Sequence, residues 1–262
     1  MGVIVVFLVR FLTIVDKIQV TPFYLIDEDR KSTGVEIQTM HQIKKYLIAK
    51  YPHTRDLLLP TQYFGVSDIV HDIKIDDAFE AIKKEKHLGI QYNWLARFCK
   101  QQSISDIQLC IHRDDIGHAV IQEFVEIVNR EHRSTFRINP EFHTTHEYTL
   151  FRYYLFPMFA ISKVQMAAIS NEKGWNDVMG MTWFCHHPRN GIKGIRPCGT
   201  CNPCVYTIEE GLGWRIPIIT RIKSFLYKNT LRPFVLFIQN SPYWKPIAKK
   251  AVVNINLLLK RI

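Results

Sequence analysis

The sequence predicts an α/β protein built on an open, mostly parallel sheet, with a zinc knuckle and a basic C-terminal extension. Three observations predict it. Short apolar runs alternate with segments of helical period, polar residues gather where the runs end, and four of the six cysteines fall between Thr182 and Cys204 in a loop rich in Pro, Gly and Asn. Apolar runs separated by helices are the pattern of parallel strands joined by crossover helices. With 47% hydrophobic residues in a chain of 262, a sizeable core can be buried.

Residues 3–15 are apolar except for Arg10 and Thr13. They are too few to span a bilayer, which takes about twenty residues. No basic region precedes them and no small-residue cleavage site follows, so they read as a buried helix or strand rather than a signal peptide. Gln19 to Ile26 reads as a buried strand ending at Asp27-Glu-Asp-Arg, and a helix follows from about Gly34 to Lys50, with Val35, Ile37, Met40, Ile43 and Leu47 near helical spacing. Leu57 to Leu59 reads as a second strand. Charged helical patterning covers about 75–86, and 91–100 is helical with Trp94, Leu95 and Phe98 on one side. Ile107 to Ile111 is an apolar run that ends in His112-Arg-Asp-Asp115, after which a helix is expected from about His118 to Arg130.

Residues 131–150 read as a surface loop, because His143-Thr-Thr-His146 lacks the Glu of a zinc-protease helix. A helix opens near Pro157 and runs to about Asn171, with Ser162 as its cap. Beyond the cysteine loop Gly211 and Gly213 break the chain, and broken helical pieces are punctuated by Pro233, Pro242 and Pro246. In open parallel sheets ligands bind outside the carboxyl ends of the strands. That places Asp27 and the His112–Asp115 segment as candidates for a ligand crevice, against the plainer reading of each as a helix cap or solvated loop.

Cys185, Cys198, Cys201 and Cys204 are spaced C-x12-C-x2-C-x2-C. The two x2 steps set three sulfurs along a tight turn, helped by Gly199 and Pro203, and the fourth thiolate arrives across a loop to close a tetrahedron. Structural Zn²⁺ takes four protein ligands in that way. An iron–sulfur cluster also takes four thiolates and is the main rival; unrelated thiols or a disulfide set is the third reading. His186 and His187 read as solvent-facing rather than as ligands, and Cys99 and Cys110 as core residues. Metal-bound thiolates argue for a reducing compartment, so the expected location is cytoplasmic.

The net charge of +10 is uneven: from Arg215 onward there are ten Lys or Arg and no Asp or Glu, whereas residues 1–214 hold 24 of each sign. Such an extension could meet anionic membrane, nucleic acid or an acidic partner. It could equally be a solvated end whose aromatic residues pack on the body.

The ordered series Thr182-Trp-x-Cys185 and Pro197-Cys-Gly-x-Cys-x-Pro-Cys204, with Ile161-Ser-Lys163 before it, resembles the zinc segment and helix start of the 7-cyano-7-deazaguanine synthases of queuosine biosynthesis. Ile107 to Asp115 resembles that family's strand and acidic ligand loop, and Val20 to Asp27 its second strand. The resemblance covers roughly 4–214. It implies an adenine nucleotide α-hydrolase-like (Rossmann-like) domain over 1–214 that includes the knuckle at 182–206, with 215–262 as an extension. It also implies Asp114, Asp115 and Lys163 as catalytic residues, Tyr24 and Asp27 on the nucleotide side, and Zn²⁺, ATP and Mg²⁺ as cofactors. The implied reaction adenylates a 7-deazaguanine carboxylate with loss of pyrophosphate, forms the amide from ammonia, and dehydrates that amide to the nitrile after a second activation.

The family's phosphate loop is Ser-Gly-Gly-x-Asp-Ser, and no Ser-Gly-Gly occurs in this sequence. Counting back from the Tyr24 strand, the loop falls at about Met1, so an N-terminally truncated or degenerate member is expected. Two other functions fit the same residues: a non-catalytic binding module for RNA or a membrane surface, and a related enzyme that amidates another carboxylate. A homodimer is plausible.

Overall fold

The computed structural model describes residues 9, 11–130, 133–191, 194–231 and 233. Strand β1 (Phe23–Ile26) pairs in parallel with β2 (Gln62–Gly65), and β3 (Ile107–Gln108) pairs in parallel with β6 (Tyr154–Leu155). β4 (Val125–Arg130) and β5 (Arg133–Ile138) form an antiparallel hairpin, as do β7 (Arg189–Gly191) and β8 (Gly194–Arg196). The class is therefore mixed α/β with small parallel sheets. Among the described residues the strands form four separate two-stranded sheets rather than the single open sheet expected.

Helical period accounts for the long helices. Thr33–Lys50 buries Met40, Ile43 and Leu47, and Ile73–Glu85 buries Ile75, Ala78, Phe79 and Ile82 at i, i+3, i+4 and i+7. Asp72 caps the latter by accepting the Ile75 N–H at 3.1 Å. Gln91–Gln101 buries Tyr92, Ala96, Phe98 and Cys99. Lys163–Glu172 opens on a capping box between Ser162 and Gln165, in agreement with the cap read from the sequence.

Three readings are corrected. The helix expected over 118–130 stops early: Ile116–Ile121 is helical, and Val125–Arg130 is β4, because its backbone pairs with β5. The surface loop expected over 131–150 contains β5 and the helix His146–Phe151, although His143 and His146 are themselves exposed. The second strand lies at 62–65 rather than 57–59; Thr54–Leu57 is a helical turn, and Leu58 only bridges to Val20. Of the apolar run at 3–15, Val9 and Leu12 are buried and Phe11–Val15 forms a π-helical turn, with 3–8 and 10 outside the described residues. The tail reading from 234 onward lies outside them too.

The chain divides between Phe184 and Cys185 into two units, so all four knuckle cysteines belong to the second. The first unit holds the three hydrophobic clusters. The largest gathers Phe79, Phe98, Phe151, Tyr154, Phe156 and Phe159, and Cys99 is part of it. Cys99 is thus a core residue as expected, whereas Cys110 is only partly buried and packs against the edge of another of the three. No helix among the described residues is long and apolar enough to cross a membrane.

Candidate metal centre and polar site

The twelve-residue spacer between Cys185 and Cys198 folds back on itself as the β7–β8 hairpin, with Arg189 opposite Arg196 and Gly191 opposite Gly194. Its two ends therefore meet, and the Cys198 N–H donates to Cys185 Sγ at 3.2 Å. Gly199 then turns the chain with φ +79°, which aims the Thr200 and Cys201 N–H groups at Cys198 Sγ, at 3.4 and 3.3 Å. A side chain at Gly199 would meet Thr220, whose Cγ2 would stand 2.3 Å from the added carbon. Glycine is thus required twice at this position, for conformation and for space. Cys201 precedes the short helix Asn202–Thr207, and one turn of it delivers Cys204.

The four sulfurs lie within 4.8 Å of one another, with the closest contacts at 3.4 Å (Cys201 to Cys204) and 3.9 Å (Cys198 to Cys204 and Cys201 to Cys185). Four thiolates at about 2.3 Å from one tetrahedral ion stand about 3.8 Å apart. The spacing fits a single metal ion, and all four cysteines are free of disulfides. Cys185 and Cys204 are fully buried, and Cys198 nearly so. Backbone N–H groups directed at sulfur favour the thiolate that a metal needs. Hydrogen bonding among the sulfurs sets the four thiols apart. Contact with Cys185 leads in holding Cys198 far below the ordinary thiol range and Cys201 down to about 7. Cys185 is pushed up, chiefly by Cys198, and Cys204, chiefly by Cys185. A dication would let all four ionise together. His186 and His187 are exposed and outside the cluster, as expected from the sequence.

Asp114, Asp115 and Lys163 come together in the first unit. The chain leaving the carboxyl end of β3 meets the chain leaving β6. The Arg113 N–H donates to the Ile161 carbonyl at 3.1 Å, the Arg113 guanidinium to the Ala160 carbonyl at 2.6 Å, and the Lys163 amide N–H to Asp114 Oδ2 at 2.9 Å. Asp115 Oδ1 accepts from the Gly117 N–H at 2.7 Å and from the Tyr92 hydroxyl at 3.0 Å. His112 lies between the two aspartates, 2% exposed. Its Nδ1 accepts the Asp114 N–H at 3.1 Å, which leaves Nε2 to carry the proton of the neutral ring, 3.9 Å from Asp115 Oδ2. Burial, reinforced by the Lys163 ammonium and His118, holds the imidazole pKa below its ordinary value against the pull of Asp115 and Asp114. His118 stacks on Phe159 at 4.2 Å, and burial with the charge of Arg113 lowers its pKa also.

Tyr24 and Asp27 occupy a different corner, between β1 and the Thr33–Lys50 helix. The Tyr24 hydroxyl donates to Glu36 Oε2 at 3.1 Å, and burial followed by the Glu36 charge pushes its pKa up to about 12. Glu36 also accepts from Ser32 Oγ at 2.6 Å and pairs with Arg30 at 3.1 Å. Asp27 Oδ1 accepts the Asp29 N–H at 3.2 Å, closing the turn that leads into the helix. Sequence reasoning reached the His112–Asp115 segment, with His112 as the residue that ends the 107–111 apolar run, but assigned no role to Tyr92 or His118. Tyr92 sits on a helix face about twenty positions earlier in the chain and carried no signal.

No protein-family model, no curated protein and no solved structure matches the chain.

Proposed function

We propose that this chain is a zinc-containing α/β protein of the 7-cyano-7-deazaguanine synthase type, binding a small heterocyclic carboxylate at Asp114, Asp115 and Lys163 for activation by ATP. One observation carries the reading. The two segments that the resemblance marks as ligand positions, 49 residues apart between Asp114 and Lys163, are joined by a hydrogen bond at the carboxyl ends of the parallel strands β3 and β6. That is where an open α/β sheet of the adenine nucleotide α-hydrolase kind binds ligands, and β1–β2 and β3–β6 are read as parts of such a sheet. A carboxylate is a poor electrophile, and transfer of AMP to its oxygen supplies a leaving group that ammonia can displace. The Lys163 ammonium would hold the substrate anion and the aspartates the exocyclic donors of the heterocycle.

Zinc is proposed over an iron–sulfur cluster because polynuclear clusters place thiolates on different irons and spread them further apart than one ion does. It would order the 185–207 loop and do no chemistry, since four thiolates leave no position for water. Six cysteines outside any disulfide suit a reducing, cytoplasmic setting. The sequence contains no Ser-Gly-Gly, so no residue is assigned to the triphosphate, and ATP with Mg²⁺ enters only as the co-substrate that the chemistry requires.

Titration calorimetry of the metal-loaded chain with 7-carboxy-7-deazaguanine tests the reading. Lys163→Met keeps the backbone N–H to Asp114 and removes only the charge, so it will weaken binding about tenfold or more, the size of one charge-assisted hydrogen bond. Absence of binding, or equal binding by the variant, would count against the assignment.

A further inference from the structure

The helix Ile218–Leu226 in the second unit packs inside out. It buries Thr220 and Ser224, at 4% and 3% exposure, while Ile218, Ile219, Ile222, Phe225 and Leu226 stand 56–67% exposed. At 100° per residue those five side chains fall in one arc of about 120°, and Thr220 and Ser224 fall on the opposite side. Arg221 and Lys223 flank the apolar arc, one on each edge. Trp214, four residues before the helix, is 65% exposed. An amphipathic helix normally turns its apolar stripe to the core. Here the stripe is left outside because the inner face must pass close to the knuckle, where Thr220 lies against Gly199.

The charge of the second unit says what would cover that stripe. Residues 185–262 contain 13 Lys or Arg and 2 Asp or Glu, and from Arg215 onward the sequence has no acidic residue. A second copy would bring the same cations to the contact and repel. A single-stranded nucleic acid would satisfy the charge but wants π faces for its bases, whereas four of the five exposed helix side chains are aliphatic. Both an apolar stripe and a cationic rim are satisfied by the headgroup region of an anionic bilayer.

We propose that the exposed face of Ile218–Leu226, with Trp214 beside it in sequence, seats the second unit on an anionic membrane surface. The helix lies in the interface plane with Ile222 at the centre of the buried arc and Phe225 at its Arg221 edge, while Arg221 and Lys223 reach lipid phosphates on either side. The metal knuckle fixes the helix in this inverted orientation.

The experiment is co-sedimentation of the full chain with phosphatidylcholine vesicles, with and without phosphatidylserine. The chain will bind the vesicles that contain phosphatidylserine about tenfold or more tightly, and added salt will weaken the binding. Ile222→Asn together with Phe225→Asn, at unchanged metal content and circular dichroism, will reduce binding about tenfold or more. Lys223→Glu, an exposed change that leaves the apolar arc intact, will reduce it on phosphatidylserine vesicles alone. Equal binding by the double variant would overturn the proposal, since charge alone would then suffice. So would absence of vesicle binding. A dimer in sedimentation velocity, or capture of single-stranded RNA, abolished by the double variant while vesicles go unbound, would assign the face to those occupants instead.

Discussion

Replacing Cys201 with Ser will release most of the bound metal and open the second unit to proteolysis. The three hydrophobic clusters among the described residues lie in the first unit, and the second buries few apolar side chains besides its cysteines, chiefly Pro197, Val205 and Ile216. Its centre is instead Cys185, Cys198 and Cys204, around which the β7–β8 hairpin and the Asn202–Thr207 helix are arranged. A unit with so small an apolar core needs a metal or another cross-link to fold. Structural zinc sites contribute roughly 10–16 kcal/mol, so one ligand in four corresponds to about 3 kcal/mol, or a hundredfold or more in affinity. The measurement is zinc content after dialysis together with limited trypsin digestion, which will cut after Arg189 in the variant and not in the wild type. A variant that keeps one zinc per chain and resists trypsin would remove Cys201 from the ligand set.

Phe156→Ala will have the converse effect. Phe156 is fully buried and packs at ring-centroid distances of 5.9, 6.4 and 6.5 Å from Phe159, Tyr154 and Phe151. Its removal leaves a cavity in the largest cluster and will destabilise the first unit by about 3–5 kcal/mol, a fall in melting temperature of roughly 10 °C. Zinc content will be unchanged, because the ligands come from the second unit alone. Differential scanning calorimetry with parallel metal analysis reads both quantities; joint loss of zinc and of the first unit's transition would show that the metal holds both.

The elements that were legible are those whose signal is local. The helices at Thr33–Lys50, Ile73–Glu85 and Gln91–Gln101 carry unbroken helical period, and Ser162 announces its own helix by a capping box. The cysteine cluster was readable because the x2 steps and Gly199 confine three sulfurs to one turn. What failed depends on distant partners. Val125 to Arg130 carries apolar residues that suit a continuing helix as well as a strand, and only pairing with 133–138 decides between them. β2 has four residues and a parallel partner nearly forty positions away, so its own sequence hardly marks it. The Ile218–Leu226 helix is one of the broken helical pieces expected beyond Gly213, but which way its apolar stripe faces is set by the packing of Thr220 near the knuckle, and the structure turns the stripe outward. Within the polar site the aspartates followed from their place after a strand, whereas Tyr92 could be found only from the fold.

The central claim is that Cys185, Cys198, Cys201 and Cys204 hold one ion. X-ray absorption spectroscopy of the full chain at the zinc edge, with elemental analysis of the same sample, tests it most directly. The account predicts one zinc per chain with four sulfur neighbours at about 2.3 Å and no nitrogen or oxygen in the coordination sphere. A mixed sulfur and nitrogen shell would bring His186 or His187 into the site, iron with short metal–metal distances would indicate a cluster, and a metal-free chain with intact thiols would contradict the account outright.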